Sequence, residues 1–454
     1  MIQTTNPNSG RKESFKPTTK KELETNIQAL SAHPSWSKMT LRKRLGYLKK
    51  FNRYLQLEKT DIAMTLSNEI GKPLWESHSE IIATLAKLDS TIMALQYRTK
   101  YPEIISGSKQ IQTEVKPIGL IGVIGPFNFP IHIPNGQIMP ALITGNTVIV
   151  KSSEYAVKTT RCIEAIWKKV FNDIQSPIAF CYGNATIGEA IVKHKKTKAI
   201  FFTGSTNVGR AIETECIKTN TLCALEMGGN NALVVDTYNQ HIVDHIIHSS
   251  LITSGQRCSC ARRIIINKDH HELIPELIDR IKSLTISSLP ATKDPFMGPI
   301  VLPEIKNKLL TQSFKQSETL LKSSNLGPGG LISPRIEITD QAPDIEYFGP
   351  LFFIELSNSF EDAIIRANKT NYGLTCSVYT SSKKKFNTAL NEIQCGVINW
   401  NTPTTGASGQ APFGGLKDSG NHRPAGFNMI DHCITPVATS LQKKAPPLKY
   451  PGGQ

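Results

Sequence analysis

Several things are scarce in this sequence, and each scarcity removes a class of protein. No uninterrupted apolar run approaches the ~20 residues that a membrane helix requires. The most apolar region, residues 118–150, is cut by Gly119, Gly122, Gly125, Pro126, Pro130, Pro134, Gly136, Pro140 and Gly145, and it reads as buried strand and loop. The nine cysteines are an odd number, spread from Cys162 to Cys433 without paired metal-ligand spacing, which points to reduced thiols and no metal. The opening residues, MIQTTNPNSGRKESFKPTTKK, lack the apolar stretch of a secretory signal. A cytoplasmic protein without a membrane segment is expected. Acidic residues are also in deficit, 37 against 52 basic ones, for a net charge of +15. The basic residues are scattered without interleaved aromatics or a reading motif, so no nucleic-acid partner is expected; a basic surface also suits an anionic substrate or cofactor.

What is present is an ordinary globular composition over 454 residues, too long for a single core and long enough for two. Residues 18–99 carry Lys, Glu, Leu and Ala at helical spacing, with Thr18 or Thr19 and Ser35 or Ser37 as caps. From Lys116 the texture changes to short β-rich runs, IGLIGVIG, NTVIVK, PIAFCYG, KAIFFTGS and NALVVD. Helical stretches lie between several of them, at residues 159–171 and 185–193. A second block follows Asn230: helix 241–254, strand ARRIIIN, helix 271–283, strand LFFIELS, helix 360–367 and strand SVYTS, with residues 320–334 as a loop. Alternation of this kind predicts α/β architecture with doubly wound parallel sheets, whose ligands bind at the carboxyl ends of the strands.

Candidate chemistry sits at the ends of those runs. Cys258, in SGQRCSC, follows a helical stretch and a glycine and is surrounded by Arg257, Arg262 and Arg263; a positive field lowers a thiol pKa and favours the reactive thiolate. The alternative is a buried, inert cysteine. Glu226, in LEMGGNN, lies between a strand and two glycines, as a general base or as a salt-bridged glutamate. Asn128, in GPFNFP, is a turn asparagine or an amide aimed at a developing oxyanion. FTGSTNVG, residues 202–209, follows a strand and opens a helix, so Gly204, Ser205 and Gly209 suit a pyrophosphate. Lys151 and Glu154 form a charged pair at another strand end.

Taken in order, GPFNFP, KSSE, FTGSTNVG, LEMGGN, GQRC, EYFGP and APFGG resemble the signature series of the aldehyde dehydrogenase superfamily, over about residues 60–440. FPIHIPNG, GQRCSCARR and GASGQAPFGG with SGNHRP further resemble the branch acting on succinylglutamate semialdehyde in arginine degradation. The resemblance implies an aldehyde dehydrogenase-like fold of two doubly wound α/β domains plus a small β oligomerisation arm. The implied boundaries are 1–99 and 118–226 for an NAD-binding domain, 227–432 for a catalytic domain, and 100–117 with 433–454 for the arm and tail. It implies Cys258 as nucleophile, Asn128 as oxyanion donor and Glu226 as base for thioester hydrolysis. It implies NAD held by Lys151, Glu154, Gly204, Ser205, Thr206, Asn207, Val208, Gly209, Glu346 and Phe348, since a carboxylate at Glu154 repels a 2′-phosphate.

A small aldehyde with two remote carboxylates then needs cationic partners, for which Arg257 and Arg423 are candidates, with His422 as a further donor. A homodimer or larger homo-oligomer is implied by the arm. Alternatives are another semialdehyde, thioester release to coenzyme A, and a silent scaffold on the same fold. Three departures from the family pattern are expected: serine in place of the usual proline second in KSSE, no hairpin ahead of Asn6–Pro7, and a shortened stretch before Glu346.

Overall fold

The computed structural model describes residues 1–106, 109–291 and 294–445. Part of the expected arm (107–108) and of the tail (446–454) lies outside the described residues. Asn6–Pro7 is itself the apex of a hairpin, Ile2–Thr5 antiparallel to Lys12–Phe15, where the Asn6 side chain accepts from the amides of Asn8 and Ser9, both at 3.1 Å. Six helices follow, Lys20–Ser31, Pro34–Lys38, Leu41–Leu57, Lys59–Ile70, Leu74–Leu85 and Lys87–Arg98. Thr19 caps the first through a reciprocal pair with Glu22. Ser35 and Ser37 are not caps. His33 takes that place, accepting from the Trp36 amide, because Pro34 already has the backbone angle of a first helical residue.

The stretch read as buried strand and loop contains a full helix, His132–Ile143, between strands Leu120–Ile124 and Thr147–Lys151. Pro134 falls in its first turn, where a missing N–H costs nothing. Ile138, Met139, Ala141, Leu142 and Ile143 are all buried. A helix covered on every side has no polar stripe by which periodicity could reveal it.

Two parallel sheets organise the rest. The first has five strands in the order Ile178–Cys181, Thr147–Lys151, Leu120–Ile124, Thr197–Thr203, Leu222–Glu226. Its winding reverses between Leu120–Ile124 and Thr197–Thr203, and the strand ends there form a natural crevice. The second has seven strands, in the order Ser317–Leu321, Arg335–Thr339, Leu351–Ser357, Ala261–Asn267, Asn231–Val235, Thr375–Tyr379, Val397–Trp400. All its pairings are parallel except that of the outermost strand, Ser317–Leu321. That strand corrects part of the loop expected at 320–334, and helix Pro303–Thr311 was not foreseen. Each sheet carries its own apolar core. A third, antiparallel sheet joins Ile434–Leu441, Lys109–Pro117 and Ile104–Ser106. No helix among the described residues is long and apolar enough to cross a membrane.

Candidate active site

At the switch point of the five-stranded sheet opens a groove of about 1080 Å³. Lys151, Glu154, Gly204, Ser205, Asn207, Val208, Glu346, Phe348, Asn128 and Cys258 all line it. Lys151 ends its strand and meets Glu154 at 3.2 Å, the latter opening a short helical turn capped by Ser153. Ser205 stands at the N-cap of helix Thr206–Thr219, yet its side chain makes no capping bond. Its hydroxyl and the first helical amides are thus left to an anionic ligand. Two other expected contacts lie behind the surface. The Thr206 hydroxyl donates to the Asp418 carbonyl at 3.2 Å. Gly209 is buried, and a Cβ there would stand 2.3 Å from the Met227 sulfur, so it lets the helix approach the strand end.

Cys258 is presented by a turn whose first residues, Thr253 and Ser254, fall within the helix expected over 241–254. Helix Ile242–Leu251 stops early, and Thr253, Ser254 and Gly255 all take left-handed backbone angles (φ 54°, 54° and 71°). For threonine this conformation is strained. The buried Glu76 holds it, accepting from the Thr253 amide at 2.8 Å and its hydroxyl at 2.7 Å. Ser254 donates to the Gly298 carbonyl at 2.6 Å, and the Gln256 side chain accepts from the Val301 amide at 2.8 Å. Asn128 closes the site from the other side: its amide nitrogen donates to the Gln256 carbonyl at 2.7 Å, which occupies one of its two hydrogens.

The expected positive field at the thiol is not found. Burial pushes the Cys258 thiol well above its ordinary range, and the carboxylates of Glu226 and Glu346 push it further. The arginines are spent on carbonyls: Arg262 donates to Gly349 and Gly255, and Arg263 to Asn230, Arg366 and Ala367. Glu226 is 4% exposed and has one oxygen without a partner among the described residues. Burial raises its carboxyl well above the usual range, partly offset by the Lys87 ammonium. Glu346 accepts from the Gly229 amide at 3.1 Å, and burial pushes its carboxyl up to about 7 against the pull of Arg262. A Cβ on Gly228 would fall 2.1 Å from a Glu346 oxygen, which accounts for the first glycine of the LEMGG run.

The two arginine candidates are not brought together on the groove. Arg257 donates to the Thr253 hydroxyl at 2.8 Å, lies 3.9 Å from Glu76 and stacks over the Phe129 ring at 4.9 Å. Arg423 and His422 are exposed residues with left-handed backbone (φ 47° and 56°). Glu76 was missed altogether. In sequence it is one acidic residue among many in a helical stretch, and only its place on the buried face sets it apart. Among the described residues no group of three or more His, Cys, Asp or Glu side chains is placed to hold a metal ion. What the site combines is a thiol, a buried carboxyl, an amide donor and a groove large enough for a dinucleotide.

The chain matches the aldehyde dehydrogenase family over residues 2–438. It is 35% identical over 430 residues to N-succinylglutamate 5-semialdehyde dehydrogenase of Serratia proteamaculans (strain 568), covering 90% of this chain and 86% of that one. Among solved structures it is similar to 1-pyrroline-5-carboxylate dehydrogenase from Thermus with bound NAD, with a TM-score of 0.90 and 26% identity over 97% of this chain and 90% of that one. It shares its fold with the glyceraldehyde-3-phosphate dehydrogenase GapN of Methanocaldococcus jannaschii complexed with NADP, with a TM-score of 0.89 and 24% identity over 98% of this chain and 99% of that one.

Proposed function

The chain belongs to the aldehyde dehydrogenase family, and on that premise we propose that it oxidises N-succinyl-L-glutamate 5-semialdehyde to N-succinyl-L-glutamate with NAD, in arginine catabolism. The observation that carries this reading is that Cys258 and Asn128 share one groove with the Lys151–Glu154 pair and the uncapped helix start at Ser205. The choice of aldehyde is supported by the 35% identical relative of that name.

The Cys258 thiolate attacks the aldehyde carbon, and the free hydrogen of the Asn128 amide and the Cys258 backbone N–H hold the resulting oxyanion. A bound nicotinamide would supply the hydride acceptor, leaving a thioester on Cys258. Glu226, as its carboxylate, takes a proton from water for hydrolysis of that thioester. Glu154, with Lys151 beside it, would hold the adenine ribose of a bound dinucleotide and would disfavour a 2′-phosphate there. Ser205, Gly204, Asn207 and Val208 serve the pyrophosphate side, with Thr206 and Gly209 shaping the helix start, and Glu346 and Phe348 the nicotinamide side. Arg257 and Arg423 are the proposed donors to the substrate carboxylates.

Residues 1–99 and 118–226 form the cofactor domain in this reading, 227–432 the catalytic domain, and 100–117 with 433–454 the arm that pairs subunits. A cytoplasmic setting is consistent with nine cysteines that are all free. The test is NADH formation by the purified protein on succinylated, acetylated and free glutamate semialdehydes, with and without coenzyme A. Fastest turnover on the succinylated compound, independent of coenzyme A and lost in Cys258→Ala, supports the reading. Preference for another aldehyde moves the substrate, and no turnover at all leaves a silent scaffold.

A further inference from the structure

Lys87 opens helix Lys87–Arg98, and its position there is unfavourable twice over. A cation in the first helical turn opposes the helix dipole. The ammonium is also turned inward, toward helix His132–Ile143 and the loop around Gly409. A Cβ on Gly136 would stand 3.4 Å from its Cε and 3.5 Å from its Nζ, and one on Gly409 would stand 3.6 Å from the same Nζ. These are ordinary contact distances, and they place the ammonium between two separate elements.

The surrounding charges do not neutralise it. Lys72 is paired with Glu80 at 2.5 Å, and Arg257 lies 3.9 Å from Glu76. His132, on the facing helix, is held neutral, its pKa lowered to about 3 by burial and then by Lys87 and Lys72. Glu226 is the carboxyl within electrostatic range of Lys87. It is itself driven toward its neutral form by burial. The Lys87 ammonium makes no hydrogen bond or ion pair with the described residues. Lys72 and Arg257 thus each have a carboxylate partner, in Glu80 and Glu76, and the Lys87 ammonium does not. Neither Lys87 nor Glu226 lines the cofactor groove.

We propose that the Lys87 ammonium is the anchor for a carboxylate of the aldehyde substrate, selecting anionic aldehydes over neutral ones. The proposal rests on the aldehyde-oxidising reading of Cys258. A carboxylate bound there supplies the counter-ion that the fold withholds, and a buried charge-assisted contact of this kind discriminates by about ten- to hundredfold.

The test compares Lys87→Met and Lys87→Arg with the wild-type enzyme on two aldehydes, N-succinylglutamate semialdehyde and butanal. The readout is the ratio of their kcat/KM values. The expected result is a fall in that ratio of about ten- to hundredfold in Lys87→Met, carried mainly by KM, with partial recovery in Lys87→Arg. A ratio unchanged in Lys87→Met, whatever happens to overall activity, overturns the proposal. So does a ratio equally low in both variants with kcat alone affected. Should Lys87→Met fail to fold, calorimetric binding of N-succinylglutamate to Cys258→Ala and to Cys258→Ala carrying Lys87→Gln decides the matter, and equal affinity overturns it. A wild-type preference for another carboxylated aldehyde would displace the proposed substrate while leaving the Lys87 ratio measurable on that compound.

Discussion

Glu76 grips Thr253 by both its amide and its hydroxyl, at 2.8 and 2.7 Å, across a sequence gap of 177 residues and five positions before the candidate nucleophile. Thr253 has a left-handed backbone that its branched side chain disfavours, so the turn carrying Cys258 persists because a remote carboxylate holds it. Replacing Glu76 by Ala leaves a buried amide and a hydroxyl proton without an acceptor and relaxes the turn. The expected loss is about 3 kcal/mol of stability, with turnover falling further than stability alone accounts for. Glu76→Gln keeps the shape and one acceptor, and it should recover part of both. Urea unfolding alongside single-turnover kinetics checks this; full activity in Glu76→Ala would show that the turn holds itself.

Glu226 and Cys258 act on each other through their charges. An ionised Glu226 opposes formation of the thiolate, while as a proposed base it must be ionised to activate water. Glu226→Gln should therefore move the two readouts in opposite directions. Alkylation of Cys258 by iodoacetamide at alkaline pH should quicken, and steady-state turnover should fall by about 10²- to 10⁴-fold. Because burial raises the Glu226 carboxyl, the wild-type rate limited by hydrolysis should climb with pH beyond the range where an ordinary carboxylate has finished titrating. Parallel loss of alkylation and turnover would mean that the glutamate is structural.

Much of this site was readable because its motifs are local. The strands Ala261–Asn267 and Leu351–Ser357 are runs of branched and aromatic residues with polar ends, and they fold over the same residues that the pattern marks. Cys258, Asn128, Lys151 and Glu154 each follow a strand or turn that delivers them to one crevice. What escaped has a common cause: its partners are distant in sequence. The sign of the field at Cys258 depends on whether Arg262 and Arg263 face the thiol or a carbonyl, and those carbonyls belong to Gly349, Arg366 and Ala367. Thr253 and Ser254 carry none of the glycine or asparagine that normally announces a left-handed turn. Glu76 and Lys87 look like surface charges of amphipathic helices, since periodicity cannot tell a buried polar face from an exposed one.

Glu346 gives a pH dependence of stability whose direction is fixed. Its carboxyl titrates at about 7 in the folded chain against an ordinary value of 4.5. Folding therefore favours its protonated form, and the contribution is fully present below pH 4.5 and lost as pH rises through 7. Urea midpoints measured at about pH 5 and about pH 8 should show a decline that Glu346→Gln reduces. An identical pH dependence in the variant would place the titration elsewhere.

The three-stranded arm exposes the apolar residues that a subunit contact would cover. Ile104 and Ile105 are 53% and 77% exposed, and Ile111, Val115 and Leu441 on the neighbouring strands are exposed as well. Ile104, Ile111 and Val115 share one face of the sheet, with Ile104 opposite Ile111 in register, while Ile105 and Leu441 lie on the other face; exposed apolar surface of this kind marks an interaction site. Burying one isoleucine is worth about 1.5–3 kcal/mol, so two aspartates in its place remove several kcal/mol from an interface of this size. The wild-type protein is expected to travel in solution at a multiple of its 50.1 kDa chain mass, and Ile111→Asp combined with Val115→Asp at the mass of one chain. Light scattering on gel filtration reads both masses. A wild-type monomer, or a double variant that keeps its mass, would mean that the arm does not pair subunits.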